Sequence, residues 1–359
     1  MSSTRIFSPD DVPAVTALHA RVFPKRWSSR AACEAYFREM LFQNPWRDPA
    51  LPSWVAEEGG RIVGFMGIVP RRMLLHGKPV RVAVGCQFMV DPDERHSLTA
   101  LQLLRKFMSG PQDIALADGA REEAGRLWKA AGGRVSALYG LHWVRVLRPA
   151  RSLLQLITSR GRLGRLAFLG APVASLVDAC ATRYGPLRPK PQLDEEELGA
   201  RALLAGIEDV SKGLALRPSY DLGALEWLLE QVKAKKRHGT FHGRLVREPD
   251  GRVAGWFMYY LNGRMSQVVQ IGARTQRFGA VLEQLFHHAW SRGAVALEGR
   301  MEPRFARVLS EREWSVSEGR AGRPSRAVTM HLSVHWHRPS FETGPSNQPL
   351  PLPKIVELR

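Results

Sequence analysis

The sequence predicts an α/β (α+β) protein made of one structural unit written twice. Three observations carry this: a repeated octapeptide, a matched order of elements after each copy, and a length of 359 residues. Such a chain exceeds what one hydrophobic core usually serves and suits two domains of roughly 150 residues. The octapeptide is GRIVGFMG, Gly60 to Gly67, answered by GRVAGWFM, Gly251 to Met258. One matched octapeptide is weak evidence, whereas matched order across several elements is hard to reach by chance.

Around the first copy, SWVAEEGGRIVGFMGIVPRRMLL reads as strand, tight Glu-Gly-Gly turn and strand, a hairpin signal. A long apolar strand follows, Val80 to Val90, ending at DPDE. Leu98, Leu101, Leu104 and Met108 then recur at helical spacing, so Ser97 to Met108 reads as an amphipathic helix. Asp113 to Ala120 is a short buried strand, and REEAGRLWKAAGG a helix closed by glycines. The second copy keeps this order: a hairpin turning at Pro249-Asp250-Gly251, the strand RMSQVVQIGA, a helix from Phe278 to Gly293, a strand from Ala294 to Arg300, and the helix PRFARVLSEREW.

Domain boundaries follow from composition: 1–148 and 215–335 for the two units, 149–214 for a basic and apolar helical connector, and 336–359 for a Pro-rich tail. From Arg145 to Lys190 the basic residues Arg145, Arg148, Arg151, Arg160, Arg162, Arg165, Arg183, Arg188 and Lys190 face only Asp178, before the acidic run DEEELGARALLAGIEDV. That pattern fits a structural helix with an apolar face or a basic helix resting on an anionic membrane surface. Lys and Arg number 52 against 34 Asp and Glu, a net charge of +18. The surplus favours anionic partners and is silent about fold. Cys33, Cys86 and Cys180 lack metal spacing and fit a reducing compartment. The acidic start lacks a secretory pattern, and the apolar run Leu166 to Val177 is far short of the ~20 residues a spanning helix needs. A cytoplasmic protein without a metal is expected.

These segments carry a resemblance. The opening TRIFSPDDVPAVTALHARVF, the hairpin WVAEEGGRIVGFM, the strand–loop–helix FMVDPDERHSLTALQLLRKF and the segment LADGAREEAGRLWKAAGG resemble successive parts of the GNAT superfamily of acyl-CoA-dependent N-acyltransferases. The likeness covers about 1–148 and, more faintly, 215–335. It implies two GNAT-like domains, each a mixed, mainly antiparallel sheet flanked by helices, a tandem arrangement also met in mycothiol synthase and Fem-type transferases.

The resemblance implies further that pantetheine lies along Phe88, Met89 and Val90, with the coenzyme A pyrophosphate on the loop and helix start formed by Arg95, His96, Ser97, Leu98, Thr99 and Ala100. Backbone N–H groups and the positive helix end suit that anion. Compared with the family signature V-x-P-x-x-R-G-x-G-x-G/A, Pro92, Arg95 and Ala100 match, while His96 and Leu98 replace both inner glycines. Side chains there crowd a backbone cradle, and the charge of Arg95 and His96 and the hydroxyls of Ser97 and Thr99 are the available compensation. Trp128 stands where the family often has an acidic Tyr, and an indole N–H is no useful proton source. Asp118, ending a buried strand beside Gly119, is the candidate catalytic carboxylate. Glu57 and Glu58 read as solvated turn residues, and Asp91, Asp93 and Glu94 as strand-end and helix-start acids. In the second copy Gly272, Arg274, Arg277 and Gly279 lie near the corresponding loop without the family's spacing. Cys86 has no local His partner, and His287, His288, His335 and His337 form no ligand set.

The expected activity is transfer of an acyl group, acetyl-CoA being the default donor, directly to an unidentified amine on a small molecule, glycan or peptide. Two alternatives stay open. One is a degenerate, non-catalytic pair that binds a partner or a membrane surface. The other is a Fem-like transferase using aminoacyl-tRNA, against which stands the absence of aromatic and basic interleaving suited to nucleic acid.

Overall fold

A computed structural model describes residues 2–24, 27–94, 98–117, 122–135, 141–159, 172–178, 193–212, 214–263 and 265–302, with 305, 306, 308, 315–318 and 356–357. The chain divides into two compact units, the first built on Met1–Ala137 and the second on Leu138–Gly213 and Asp221–Val334.

The first unit runs β1 (Ser3–Ile6), α1 (Val12–Val22), α2 (Arg30–Leu41), β2 (Trp54–Glu58), β3 (Arg61–Leu75), β4 (Lys78–Val90), α3 (Thr99–Met108), β5 (Ile114–Ala117), α4 (Glu122–Ala130) and β6 (Arg134–Val135). Its sheet is ordered β1-β2-β3-β4-β5, antiparallel except for the parallel pair β4–β5. The β3–β4 hairpin closes on His76 and Gly77, both at positive φ (49° and 81°), as a two-residue turn between right-twisted strands requires. One sheet face carries α1 and α2, where Phe65 meets Phe7 and Phe37 edge-on. The other carries α3 and α4, with Leu103, Leu104, Phe107 and Trp128 buried against Met66, Ile68, Ala83 and Ala115.

The start of α1 is fastened by charge. Ser8 donates from its N–H and hydroxyl to Asp11 (2.8 and 2.9 Å), and Arg5 grips the same carboxylate with both terminal nitrogens (2.7 and 2.8 Å). The hydrogen bond from Arg5 is the main reason the Asp11 carboxyl is held down to about 2.

The second unit contains β7 (Leu141–Val146), α5 (Pro149–Ser159), the helical residues 172–178 (α6), β8 (Asp194–Glu197), α7 (Ala200–Val210), α8 (Leu222–Lys233), β10 (Thr240–Arg247), β11 (Val253–Leu261), β12 (Ser266–Ala273), α9 (Phe278–Ser291), β13 (Ala296–Arg300) and β14 (Ser315–Glu318). Its sheet is ordered β14-β7-β13-β12-β11-β10-β8. From β8 inward the pairing repeats the first sheet: three antiparallel pairs, then a parallel pair, β12–β13. The short β9 (Leu216–Pro218) belongs to the first sheet instead, antiparallel to Met73–Leu75, and Val356 and Glu357 (β15) pair with β6.

Two segments take places that periodicity did not assign. Leu141–Val146 falls within the 1–148 stretch, yet pairs with β13 and β14 of the second sheet. Asp194–Glu197 and Ala200–Val210 fall within the 149–214 stretch, yet supply that sheet's edge strand and a covering helix. The acidic run DEEE hides this role, because β8 is an edge whose alternate residues face water, and Arg244 and Arg247 of β10 ion-pair with its glutamates.

The repeated phrase has a packing role. Gly60 and Gly251 take positive φ (75° and 82°) at the two hairpin turns. Four residues on, Gly64 and Gly255 let a helix lie on the strand: a Cβ at Gly64 would sit 2.8 Å from Leu103 Cδ1 and 2.9 Å from Thr99 Cγ2, and one at Gly255 would meet Val281 at 2.9 Å. The phrase marks where α3 and α9 dock.

Candidate active site

The site builds from β4. Opposite β3 its register slips: Phe65 faces Met89 and Gly67 faces Cys86, so Gln87 and Phe88 stand against Met66 alone. Gln87 takes φ +50°, a left-handed conformation uncommon outside glycine. Gly67 makes the bulge fit, since a Cβ there would lie 2.8 Å from the Cys86 carbonyl oxygen and 2.9 Å from its Sγ. On the other side, pairing with β5 runs from Val82↔Ile114 to Gly85↔Ala117 and, among the described residues, stops there. Phe88, Met89 and Val90 end β4 immediately after the bulge residue Gln87. Beyond β4, α3 begins at Thr99. Thr99 is buried and its hydroxyl is 2.9 Å from that of Ser2; Leu98 is 69% exposed, and Ala100 is half-buried. Arg95, His96, Ser97 and Asp118 lie outside the described residues.

Several other acids are already engaged. Asp91, fully buried, accepts from Arg21 at 2.8 and 3.1 Å and from the Asp93 N–H at 3.3 Å, with Arg61 at 3.8 Å. It clamps α1 to the strand end. Glu57 pairs with Arg5 at 2.8 Å. Arg5, Asp11, Arg21, Glu57 and Arg61 line an open concavity of about 300 Å³ at the β2–β3 turn, where positive and negative groups neutralise one another. Trp128 is buried edge-on to Phe107 and serves the core.

The α1/α2 face of the bulge carries side chains that linear reading missed. Gln87 donates to the Tyr36 hydroxyl (3.1 Å), and Trp27 packs on Tyr36 at 4.9 Å between ring centroids. Arg71 of β3 lies with its guanidinium 4.5 Å from the Trp46 ring centre, and Trp46 contacts Tyr220 at 5.3 Å. Burial pushes the Cys86 thiol up to about 12, so it is a neutral packing group, not a nucleophile. Tyr36, Arg71 and Tyr220 come from three distant stretches. The one sequence signal was a charge pair, Arg71-Arg72, inside an otherwise apolar strand.

The second unit handles its loop differently. Arg274 pairs with Asp209 (2.6 Å) and Arg277 with the buried Glu248 (2.6 Å). The Trp256 ring lies across Gly272 while its N–H donates to Gln270 (3.1 Å). Both candidate phosphate arginines are committed to carboxylates of the unit itself. His288 is buried against Tyr259, whose hydroxyl is 2.9 Å from its Nδ1, and burial pushes the imidazole down to about 3. Among the described residues no cluster of His, Cys, Asp and Glu could hold a metal, and no helix is long and apolar enough to cross a membrane. His335 and His337 lie outside them.

The first unit is thus a mixed sheet with a bulge at Gln87 near the end of β4, followed in the chain by α3. Residues 3–113 match the acetyltransferase (GNAT) domain family. Among solved structures, the chain is similar to GCN5-related N-acetyltransferases from Anabaena variabilis ATCC 29413 (TM-score 0.56, 10% identity) and Kribbella flavida (0.54, 13%), each over 88% of this chain and 70% of that one. It also aligns with a conserved protein of unknown function from Enterococcus faecalis V583 (TM-score 0.48, 10% identity), covering 83% of this chain and 65%, less than two thirds, of that one. At such identities the likeness concerns fold. Comparison with curated proteins returned no match.

Proposed function

We propose that the protein is an acyl-CoA-dependent N-acyltransferase that works at the first unit, with acetyl-CoA as its default donor, and that the chain arose as a tandem of two GNAT-like units. The observation that carries this is the bulge in β4, where Gln87 takes φ +50° and Gln87 and Phe88 stand against Met66 alone. A pantetheine arm can lie along Phe88–Val90 as an added strand, exchanging amide hydrogen bonds with the backbone. The amine nitrogen attacks the thioester carbon, a C–N bond forms as the C–S bond breaks, the amine gives up a proton, and the departing thiolate takes one. Tyr36, hydrogen-bonded to the bulge residue Gln87, is the phenol placed to supply that proton. Asp118 and the loop residues Arg95, His96 and Ser97 retain the roles the family resemblance implies. The second unit, its loop arginines paired internally, does not bind coenzyme in this reading.

Thermal unfolding with and without acetyl-CoA, on the wild type and on Arg95→Glu, tests this. Ligand at 100 times its dissociation constant should stabilise by about 2.7 kcal/mol. A shift in the wild type that Arg95→Glu abolishes supports the first-unit site. No shift at millimolar acetyl-CoA overturns it.

One observation favours a second role alongside transfer, contact with an anionic membrane surface. Leu153 and Ile157 of α5 and Val173, Leu176 and Val177 of α6 are 48–67% exposed, in the stretch of the sequence where basic residues prevail. Asp178 joins these helices by accepting from the N–H groups of Ala150 and Arg151 (2.8 and 3.1 Å). Flotation with phosphatidylserine vesicles, lost in Leu153→Glu/Leu176→Glu, would support that role; equal flotation of both proteins would remove it.

A further inference from the structure

Arg71 is a half-buried cation without a counter-charge among the described residues. Along β3, Phe65, Gly67, Val69 and Arg71 share the α1/α2 face, and across the register Arg71 faces Val82 while Gly67 faces Cys86. The Arg71 guanidinium is stacked against Trp46, and its Nη1 is shielded from solvent with no hydrogen-bond partner. The titratable groups that face it are the Tyr220 phenol and the Cys86 thiol, both kept neutral by burial. No carboxylate of the described residues reaches it, in a unit where Arg5, Arg21, Arg30 and Arg81 each pair with an acid. Guanidinium cannot shed its proton at any physiological pH, so a desolvated, uncompensated Arg is costly unless something anionic completes it.

From this we infer that Arg71 is the anchor for a carboxylate on the acyl acceptor, an inference that rests on the acyltransferase reading of the first unit. The placement fits. Arg71 lies on the same face as Cys86, the residue before the bulge, and opposite to the α3 face over which the coenzyme phosphates are proposed to lie. From Val82 to Gln87 is roughly 17 Å of strand at about 3.4 Å per residue, and the guanidinium reaches back along that line toward Cys86. The acceptor then presents its amine at the bulge and its carboxylate about 10 Å away. One uncompensated charge calls for a monoanion rather than a phosphate dianion. With its face taken by Trp46, the guanidinium offers its edge, which matches a planar carboxylate. Two sources carry this chemistry: a free ω-amino acid, or a short peptide with an open C-terminus.

The test uses the full chain and matched pairs of acceptors: 6-aminohexanoate against 6-aminohexanamide, and triglycine against triglycine amide. Release of the coenzyme A thiol reports transfer, and calorimetric titration of each compound onto the coenzyme A complex reports binding without turnover. Each carboxylate should bind at least 10-fold more tightly than its amide; Arg71→Gln should erase that difference and Arg71→Lys restore part of it. The stronger pair names the source. Equal binding of acid and amide by the wild type overturns the inference, as does inorganic phosphate that competes as well as the carboxylates; neither outcome touches the acetyl-CoA shift, on which the acyltransferase reading is judged. Carboxylate binding at Arg71 without any coenzyme binding would remove its role as acceptor anchor. Should Arg71→Gln fail to fold, the acid–amide pairs on the wild type decide alone.

Discussion

Gly67→Ala tests whether the β4 bulge is the working part of the first unit. The added methyl would stand 2.8 Å from the Cys86 carbonyl oxygen and 2.9 Å from Sγ, against an ordinary contact of about 3.4 Å or more. One neighbour is backbone, so relief requires β4 itself to move by roughly half an ångström at the bulge. Overpacking of this kind costs about 1–3 kcal/mol, and for a unit of this size about 2 kcal/mol lowers Tm by roughly 4–8 °C. Binding should suffer separately, because Phe88–Val90 move with the strand: the stabilisation by acetyl-CoA, about 2.7 kcal/mol at 100 times the wild-type dissociation constant, should fall by more than half. Differential scanning calorimetry with and without acetyl-CoA reads both effects. Gly59→Ala is the control, for Gly59 has positive φ (56°) but no atom within 4 Å of the place its methyl would take, so backbone strain alone is felt there. Gly67→Ala that unfolds with the wild type and keeps the full ligand shift would refute the assignment of the site to this bulge.

Three more outcomes follow from the geometry. Asp11 has its carboxyl lowered from 3.8 to about 2, so its contribution of about 2 kcal/mol is complete above pH 4–5 and disappears as pH falls toward 2; Asp11→Asn should flatten that limb of an acid-unfolding curve, and an unchanged curve would discount the Arg5 clamp. Cys86, half-buried with its thiol pushed up to about 12, should react with iodoacetamide at pH 8 more than 100-fold slower than an ordinary exposed thiol, as judged by peptide mass spectrometry; quick labelling of the native protein would contradict the raised pKa. Arg277→Ala strands the buried Glu248 and should cost about 1–3 kcal/mol of stability while leaving the acetyl-CoA shift intact. Loss of that shift would move coenzyme binding to the second unit.

Much of the architecture was legible because it is local. Apolar runs flanking glycine-bearing turns mark β3, β4, β10 and β11, the helical spacing of Leu101, Leu104 and Met108 marks α3, and the turn glycines mark backbone that no other residue adopts as cheaply. The order of these elements, written twice, suffices for the fold class and for the neighbourhood of the site at the end of β4. Tertiary structure decided what depends on distance along the chain. That Leu141–Val146 completes the second sheet, that an acidic run is its edge strand, and that Leu216–Pro218 returns to β3 are matters of long-range register, to which periodicity is blind. The same holds for charge. Arg71 and Arg277 look alike in the sequence, each a basic residue beside glycine-bearing or apolar strands. Only the fold pairs one with Glu248 and leaves the other against Trp46 with a nitrogen unmatched, because whether a buried charge is compensated depends on what the rest of the chain brings within about 3 Å of it.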